Sequence, residues 1–335
     1  MLYRYGVAIV PNVLDAAECA TMVDELWSHF THVLPALKRD DPRTWGEVFK
    51  LYPKHGMLHQ HYHAGVCQAA FNVRQNPKVV EAFARIFSTR SLTSSLDGVA
   101  FGLDPSVTGR GWDGKGWLHL DQAPKKDGSR SNFECVQSWV TAEDVGEGDA
   151  TLRVLVGSHA LHREFSKQFG VEGPGSNLDW LMLTPEHEAW YRRQGCTTYD
   201  VVCPAGAQVF WDSRTVHSGR APVQGRENRR NRYVVYASYL PTSRMSAHNA
   251  EKKRAHVANG RMTTHWPDAR KLFPKKPRTY GGPLHPESEY IRPRLTTFGA
   301  SLFGWHENPQ ACPFVDLSRS SSPSGAGASN ATTTT

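Results

Sequence analysis

The chain has 335 residues and a formal charge of +7, with 39% hydrophobic and 21% charged residues. That length buries a full core as one large domain or two smaller ones, and the composition argues against a mostly disordered chain. No apolar run nears the roughly 20 residues of a membrane-crossing helix, and the start lacks the apolar block and cleavage site of an export signal.

A short strand is expected over 5–11. Asp15 is a fitting N-cap for a helix over 16–30, whose Cys19, Met22, Val23, Leu26 and Phe30 share one face. A second helix is expected over 77–87, with Val79, Val80, Phe83 and Ile86 as its apolar stripe. Residues 1–92 therefore form a helical N-terminal part of the same domain. From 93 the texture changes to short alternating runs broken by Gly, Pro and Asp, with strands expected at 94–102, 116–121, 133–141, 151–156, 206–211 and 230–239. The fold class is mainly β with flanking helices: a sandwich-like core over 93–241, interrupted by a helical insert over 159–200.

Residues 242–316 read as a basic C-terminal extension. Within 241–300, twelve Lys or Arg face four acids, a local balance of +8. Such a segment meets nucleic acid, a phosphorylated substrate or plain solvent. The tail 317–335 is low-complexity and expected to be disordered. Its Asn330-Ala331-Thr332 sequon reads as chance without an export signal. The six cysteines (19, 67, 135, 196, 203, 312) form no CxxC pair and read as reduced thiols of an intracellular, cytoplasmic protein.

The chemistry starts at GWLHLDQ, residues 116–122. On a strand His119 and Asp121 point the same way, leaving a metal one imidazole short of a two-His, one-carboxylate facial triad. His217, in PAGAQVFWDSRTVHSG, is the candidate third ligand. A lone His-x-Asp is a weak signal, and a hydrogen-bonded core histidine is the ordinary alternative. Downstream, the strand YVVYASYL opens with Arg229, Arg230 and Arg232, any of which offers a fork for a dicarboxylate. Alternation sets Arg230 and Arg232 on the face opposite Arg229. Gln137 and Trp139 share a face, either of a pocket or of an ordinary core. LHQHYH carries His59, His61 and His63, but ligands so close on one strand converge poorly on one ion. His159 and His162 read as polar residues ending a strand.

The ordered set WLHLDQ, GDATLRVLVGSH, PAGAQVFWDSRTVHSG and RRNRYVVYASY resembles the phytanoyl-CoA dioxygenase-like branch of the Fe(II)/2-oxoglutarate oxygenases. Gly157-Ser158-His159 matches the ending of its middle element, with Val156 where a Pro is usual. Arg229, twelve residues after His217 and seven before Tyr236, fits the family register for the co-substrate Arg. The resemblance implies a double-stranded β-helix, or jelly roll, with the metal inside one end. It implies non-haem Fe(II) on His119, Asp121 and His217, with 2-oxoglutarate and O2 as co-substrates and Arg229, Gln137 and Ser218 around 2-oxoglutarate. Gln122, Trp139 and Trp117 are the substrate-pocket candidates. Asp121 separates the chain from halogenating relatives, so hydroxylation of a small molecule, with release of succinate and CO2, is the expected outcome. Two departures stand out: Gly219 replaces a hydroxyl residue two after the distal His, and TGRGWDGKG before His119 is long and glycine-rich. Trp112, Trp117, Trp139 and Trp211 suit an apolar or planar substrate. The alternatives are another cupin-type metalloenzyme (an isomerase or hydrolase), or a nucleic-acid-directed oxygenase or binding module using 241–300.

Overall fold

The computed structural model describes residues 1–112, 116–170, 180–226, 229–268 and 272–319. Its strands, in chain order, are β1 Val7–Val10, β2 Leu58–His59, β3 Leu92–Ser94, β4 Val99–Gly102, β5 His119–Leu120, β6 Val136–Thr141, β7 Thr151–Val156, β8 Leu181–Met182, β9 Thr197–Asp200, β10 Gln208–Asp212, β11 His217–Arg220, β12 Arg232–Tyr236 and β13 Tyr239–Pro241. They form a six-stranded sheet in the order β1-β10-β6-β12-β4-β2, a five-stranded sheet in the order β8-β5-β11-β7-β9, and a β13-β3 ribbon. Every strand pair is antiparallel. This is the expected jelly roll.

Period-two alternation decides which side chains face inward. Ala100, Trp139, Val209, Trp211 and Val234 of the large sheet meet Leu152 and Val154 of the smaller one in an inner cluster. Their neighbours Val99, Phe101, Val136, Val140, Phe210, Tyr233 and Val235 join the helices in an outer core. Two expected strands are each split. The run 94–102 divides into β3 and β4, and 230–239 into β12 and β13, because each segment changes sheets midway. The breaks are tied together: Ser95 N–H donates to the Ser238 carbonyl at 2.8 Å, and Ser238 N–H to Ser95 Oγ at 3.2 Å.

The helix Ala16–Val33 begins as expected, Asp15 and Glu18 forming a capping box. It lies on the outer face of the large sheet, with Trp27 Nε1 donating to Tyr233 Oη at 2.9 Å and Phe30 stacked on Phe101 at 4.1 Å. Its entry is fixed by Gly206, whose carbonyl accepts from Val13 and Leu14 N–H. Gly206 has φ +75°, and a Cβ there would run into the Leu14 carbonyl, so a side chain is excluded on both counts. The helix Pro77–Phe87 buries Val79, Val80, Phe83 and Ala84, while Ile86 sits half out.

The expected insert holds a helix Pro185–Arg193 but also β8 and β9, which extend the smaller sheet; its residues 171–179 lie outside the described part. The segment after Pro241 packs into the main core, with Val257, Met262, Leu295, Leu302 and Phe303 beside the N-terminal helices. Several of its cations are turned inward. Lys253 is fully buried, Arg254 donates to the Gly304 carbonyl and Arg261 to the Phe273 carbonyl. Of the tail expected to be disordered, Leu317–Arg319 form a short 3-10 turn, and residues from 320 onward lie outside the described part.

Candidate metal centre

His119 and His217 are 98 residues apart in the chain and direct cross-strand partners in the β5–β11 pair. Their rings are 4.3 Å apart between centroids. Asp121 completes the group: its Oδ1 is 3.5 Å from His119 Nε2 and its Oδ2 3.2 Å from His217 Nε2. One donor atom from each lies within 4.8 Å of the others, the one such cluster of three among the described residues. His119 Nδ1 donates to the Trp117 carbonyl at 3.1 Å and His217 Nδ1 to the Thr215 carbonyl at 2.9 Å. A carbonyl only accepts, so both Nδ1 atoms carry the proton and both Nε2 lone pairs face the common point. Two imidazoles and one carboxylate on one side of a point is the donor set a ferrous ion takes with open positions to spare.

The electrostatics keep that set ready. Burial pushes the Asp121 carboxyl up, but His119, His265 and His217 more than offset this and hold it well below the usual carboxylate range. Burial and the neighbouring His119 hold His217 below the ordinary imidazole value, favouring the neutral ligand form. Gln137 Nε2 donates to Asp121 Oδ2 at 2.8 Å, fixing the carboxylate.

Gly157-Ser158 acts from behind. Gly157 turns the chain out of β7 at φ +83°. Ser158 Oγ accepts from Val216 N–H at 2.9 Å, which sets β11 in register one residue before His217. Gly219 is also explained: a Cβ there would come within 3.3 Å of Trp117, whose Nε1 donates to the Gly219 carbonyl at 2.8 Å. The indole occupies the room a hydroxyl side chain would need.

The triad opens into a cavity of about 870 Å³ whose walls include Trp117, Gln137, Trp139, Arg232 and Tyr236. Arg229 is not among them. It is exposed, and Arg230 pairs with Asp149 at 3.0 Å. Of these three arginines the one that lines the cavity is Arg232, because β12 begins there and its alternation sends Arg232, Val234 and Tyr236 inward. Gly102 lies opposite Arg232 across the β4–β12 pair. Arg232 Nη1 donates to the Ala150 carbonyl at 2.6 Å, its Cζ sits 5.1 Å over the Trp139 ring, and its buried Nε has no partner among the described residues.

Two further candidates move out of the site. Gln122 alternates away from Asp121 and is fully buried, donating to the Arg130 and Asn132 carbonyls and accepting from Ser213 Oγ. It holds a loop and does not line the triad cavity. Ser218, between His217 and Gly219 on β11, faces the opposite side from both and lines no part of the cavity. The histidine run does not converge: His59 bonds the Phe101 carbonyl, His61 lines the cavity and His63 bonds the Gly260 carbonyl. His159 and His162 bond the Tyr3 and Gln122 carbonyls just after β7. Residue-by-residue reasoning missed the far wall, made by Trp180, Met182 and, from the C-terminal segment, Trp266, Phe273, Arg278 and Tyr280. The aromatic and basic mixture HWPDARKLFPKKPRTY was its one signal.

The sequence profile described as Phytanoyl-CoA dioxygenase (PhyH) matches residues 2–229. Ava biosynthesis cluster protein O of Aspergillus versicolor is 26% identical over 223 residues, 64% of this chain and 69% of that protein. The crystal structure of the hypothetical protein JW0805 from Escherichia coli shares the fold at 14% identity and a TM-score of 0.51, over 85% of this chain and 79% of its own. The epimerase SnoN, solved with Fe3+, alpha ketoglutarate and nogalamycin RO, aligns at 17% identity and a TM-score of 0.44, over 72% of this chain and 81% of its own. With a profile match across more than half its length, this chain belongs to the phytanoyl-CoA dioxygenase family.

Proposed function

We propose that this protein is an iron- and 2-oxoglutarate-dependent hydroxylase of a small organic substrate, with His119, Asp121 and His217 as the iron ligands. The observation that carries the reading is the convergence of those three donors within 4.8 Å at the inner end of a large cavity. When bound, iron with 2-oxoglutarate and O2 supplies the oxidant that exchanges a substrate C–H for C–OH, releasing succinate and CO2.

The chain's own share is positioning. The backbone carbonyls of Trp117 and Thr215 keep both imidazoles in the ligating tautomer. Gln137 holds the carboxylate. Arg232 takes the far carboxylate of 2-oxoglutarate, a role supported by its buried guanidinium facing the cavity with Nε unengaged among the described residues. Trp139 stiffens that arginine from below, and Trp117 shields His119, on which it stacks at 4.6 Å.

The test is succinate production from 2-oxoglutarate by purified protein with Fe(II) and ascorbate. His119→Ala should abolish it. Succinate formed equally well by that variant, or by none of the preparations despite stoichiometric iron uptake, would overturn the proposal.

A further inference from the structure

A cavity of about 870 Å³ is far larger than a five-carbon dicarboxylate requires, so most of it is left for a second ligand. Flat rings line it from the triad to the opening. Trp117 is sandwiched between His55, 3.7 Å away at 6°, and His119, 4.6 Å away at 10°. Trp180 stands nearly perpendicular to His119 at 6.4 Å and is 44% exposed at the opening. Tyr280, 79% exposed, lies beneath the Arg278 guanidinium at 4.9 Å. Large aromatics left in water around one opening mark a surface that a ligand covers.

The charges are equally one-sided. Lys54, Arg110 and Arg278 line the outer cavity, are exposed, and have no carboxylate partner among the described residues. Among the described residues the only lining carboxylates are Asp97 and Asp121; Asp97 is buried and Asp121 is the triad's own. A cationic rim over low-dielectric walls attracts anions and repels cations.

We propose that the substrate is a planar aromatic anion of small-molecule size, its rings lying against the open face of Trp180 and its anionic group held at the mouth by Arg110 and Arg278. This deepens the reading of the cavity as a substrate chamber and rests on it. It also gives the C-terminal segment, which lies beyond the family match at residue 229, the task of choosing the substrate.

The experiment is calorimetric binding of three probes to the full chain: naphthalene-2-sulfonate, its neutral isostere naphthalene-2-sulfonamide, and non-aromatic cyclohexanesulfonate. The first should bind about tenfold more tightly than either of the others, the scale of one charge-assisted contact or one stacking surface. In the Arg110→Gln/Arg278→Gln double variant the sulfonate should fall to the level of the sulfonamide, whose own binding stays unchanged. High salt should mimic that loss in the wild type. Trp180→Ala should weaken both naphthalenes and spare cyclohexanesulfonate. Equal binding of sulfonate and sulfonamide, equal binding of the aromatic and cyclohexane anions, or tighter binding of a single-stranded oligonucleotide than of any probe would each overturn the proposal. No turnover is measured, so a failure here is separable from a failure of succinate production.

Discussion

Gln137 touches the metal centre only through Asp121 Oδ2, at 2.8 Å, and that makes its role measurable. Gln137→Leu keeps the volume and removes the donor, leaving the carboxylate free to rotate. Metal affinity should fall about 10- to 100-fold, the usual effect of losing a partner that orients a ligand, read by Co(II) titration; unchanged affinity would refute the role. Arg232 and Arg229 make a sharper pair. Arg232→Met should raise the KM for 2-oxoglutarate about 100-fold, the scale of truncating one partner of a buried charge pair, with partial rescue in Arg232→Lys. Arg229→Met should leave it within about twofold, as for a solvated surface charge. The reverse result would restore the assignment made from family spacing. That assignment counted residues from His217, whereas the inward direction is set by where β12 begins, three residues later at Arg232. Ser218 falls to the same rule, next to a ligand on β11 and therefore on the other face. Gln122 instead lies past the end of β5 and spends its amide on the Arg130 and Asn132 carbonyls.

Elements with a strong local signal were legible, as Asp15 and the apolar stripe of Ala16–Val33 illustrate. The two-residue strands β2 and β8 carry too little pattern to be seen, and exist only because a neighbour offers a ladder. β2 has a consequence for stability. His59 is 3% exposed, its Nε2 bonds the Phe101 carbonyl at 3.2 Å, and its ring meets Phe30 edge-on at 4.6 Å. Burial pushes its pKa from 6.5 down to about 3. The folded state therefore holds this ring neutral, and its contribution is complete above pH 6.5. It is lost as pH falls from 6.5 toward 3, because only the unfolded chain takes up the proton in that window. From pH 7 to 5 the wild type should lose about 2 kcal/mol at this one site. His59→Phe should lose less by that amount, measured as the difference in denaturant midpoints at the two pH values. Parallel pH dependence of the two proteins would show that the ring is already accessible to protons.

At the scale of the whole molecule, the segment after Pro241 is structural as well as a wall of the cavity. Val257, Met262, Leu295, Leu302 and Phe303 are buried in the core that also holds the N-terminal helices. At about 2 kcal/mol per buried side chain these five alone supply roughly 10 kcal/mol, comparable with the whole net stability of a typical domain, about 5–15 kcal/mol. Lys253 adds a polar tie, with Nζ donating to Thr93 Oγ1 at 2.6 Å and to the Ser94 and Pro267 carbonyls. Removing the segment would leave buried Thr93 Oγ1 and the Ser94 carbonyl without the Lys253 donor. A chain ended at Pro241 keeps His119, Asp121, His217 and Arg232, yet it should not fold into a smaller active jelly roll. It should aggregate or lose its cooperative melt, seen by near-ultraviolet circular dichroism and size exclusion. A monomeric truncated protein melting within a few degrees of the full chain would show that the core closes without the segment. Its retained binding of naphthalene-2-sulfonate would then remove the segment from substrate choice as well.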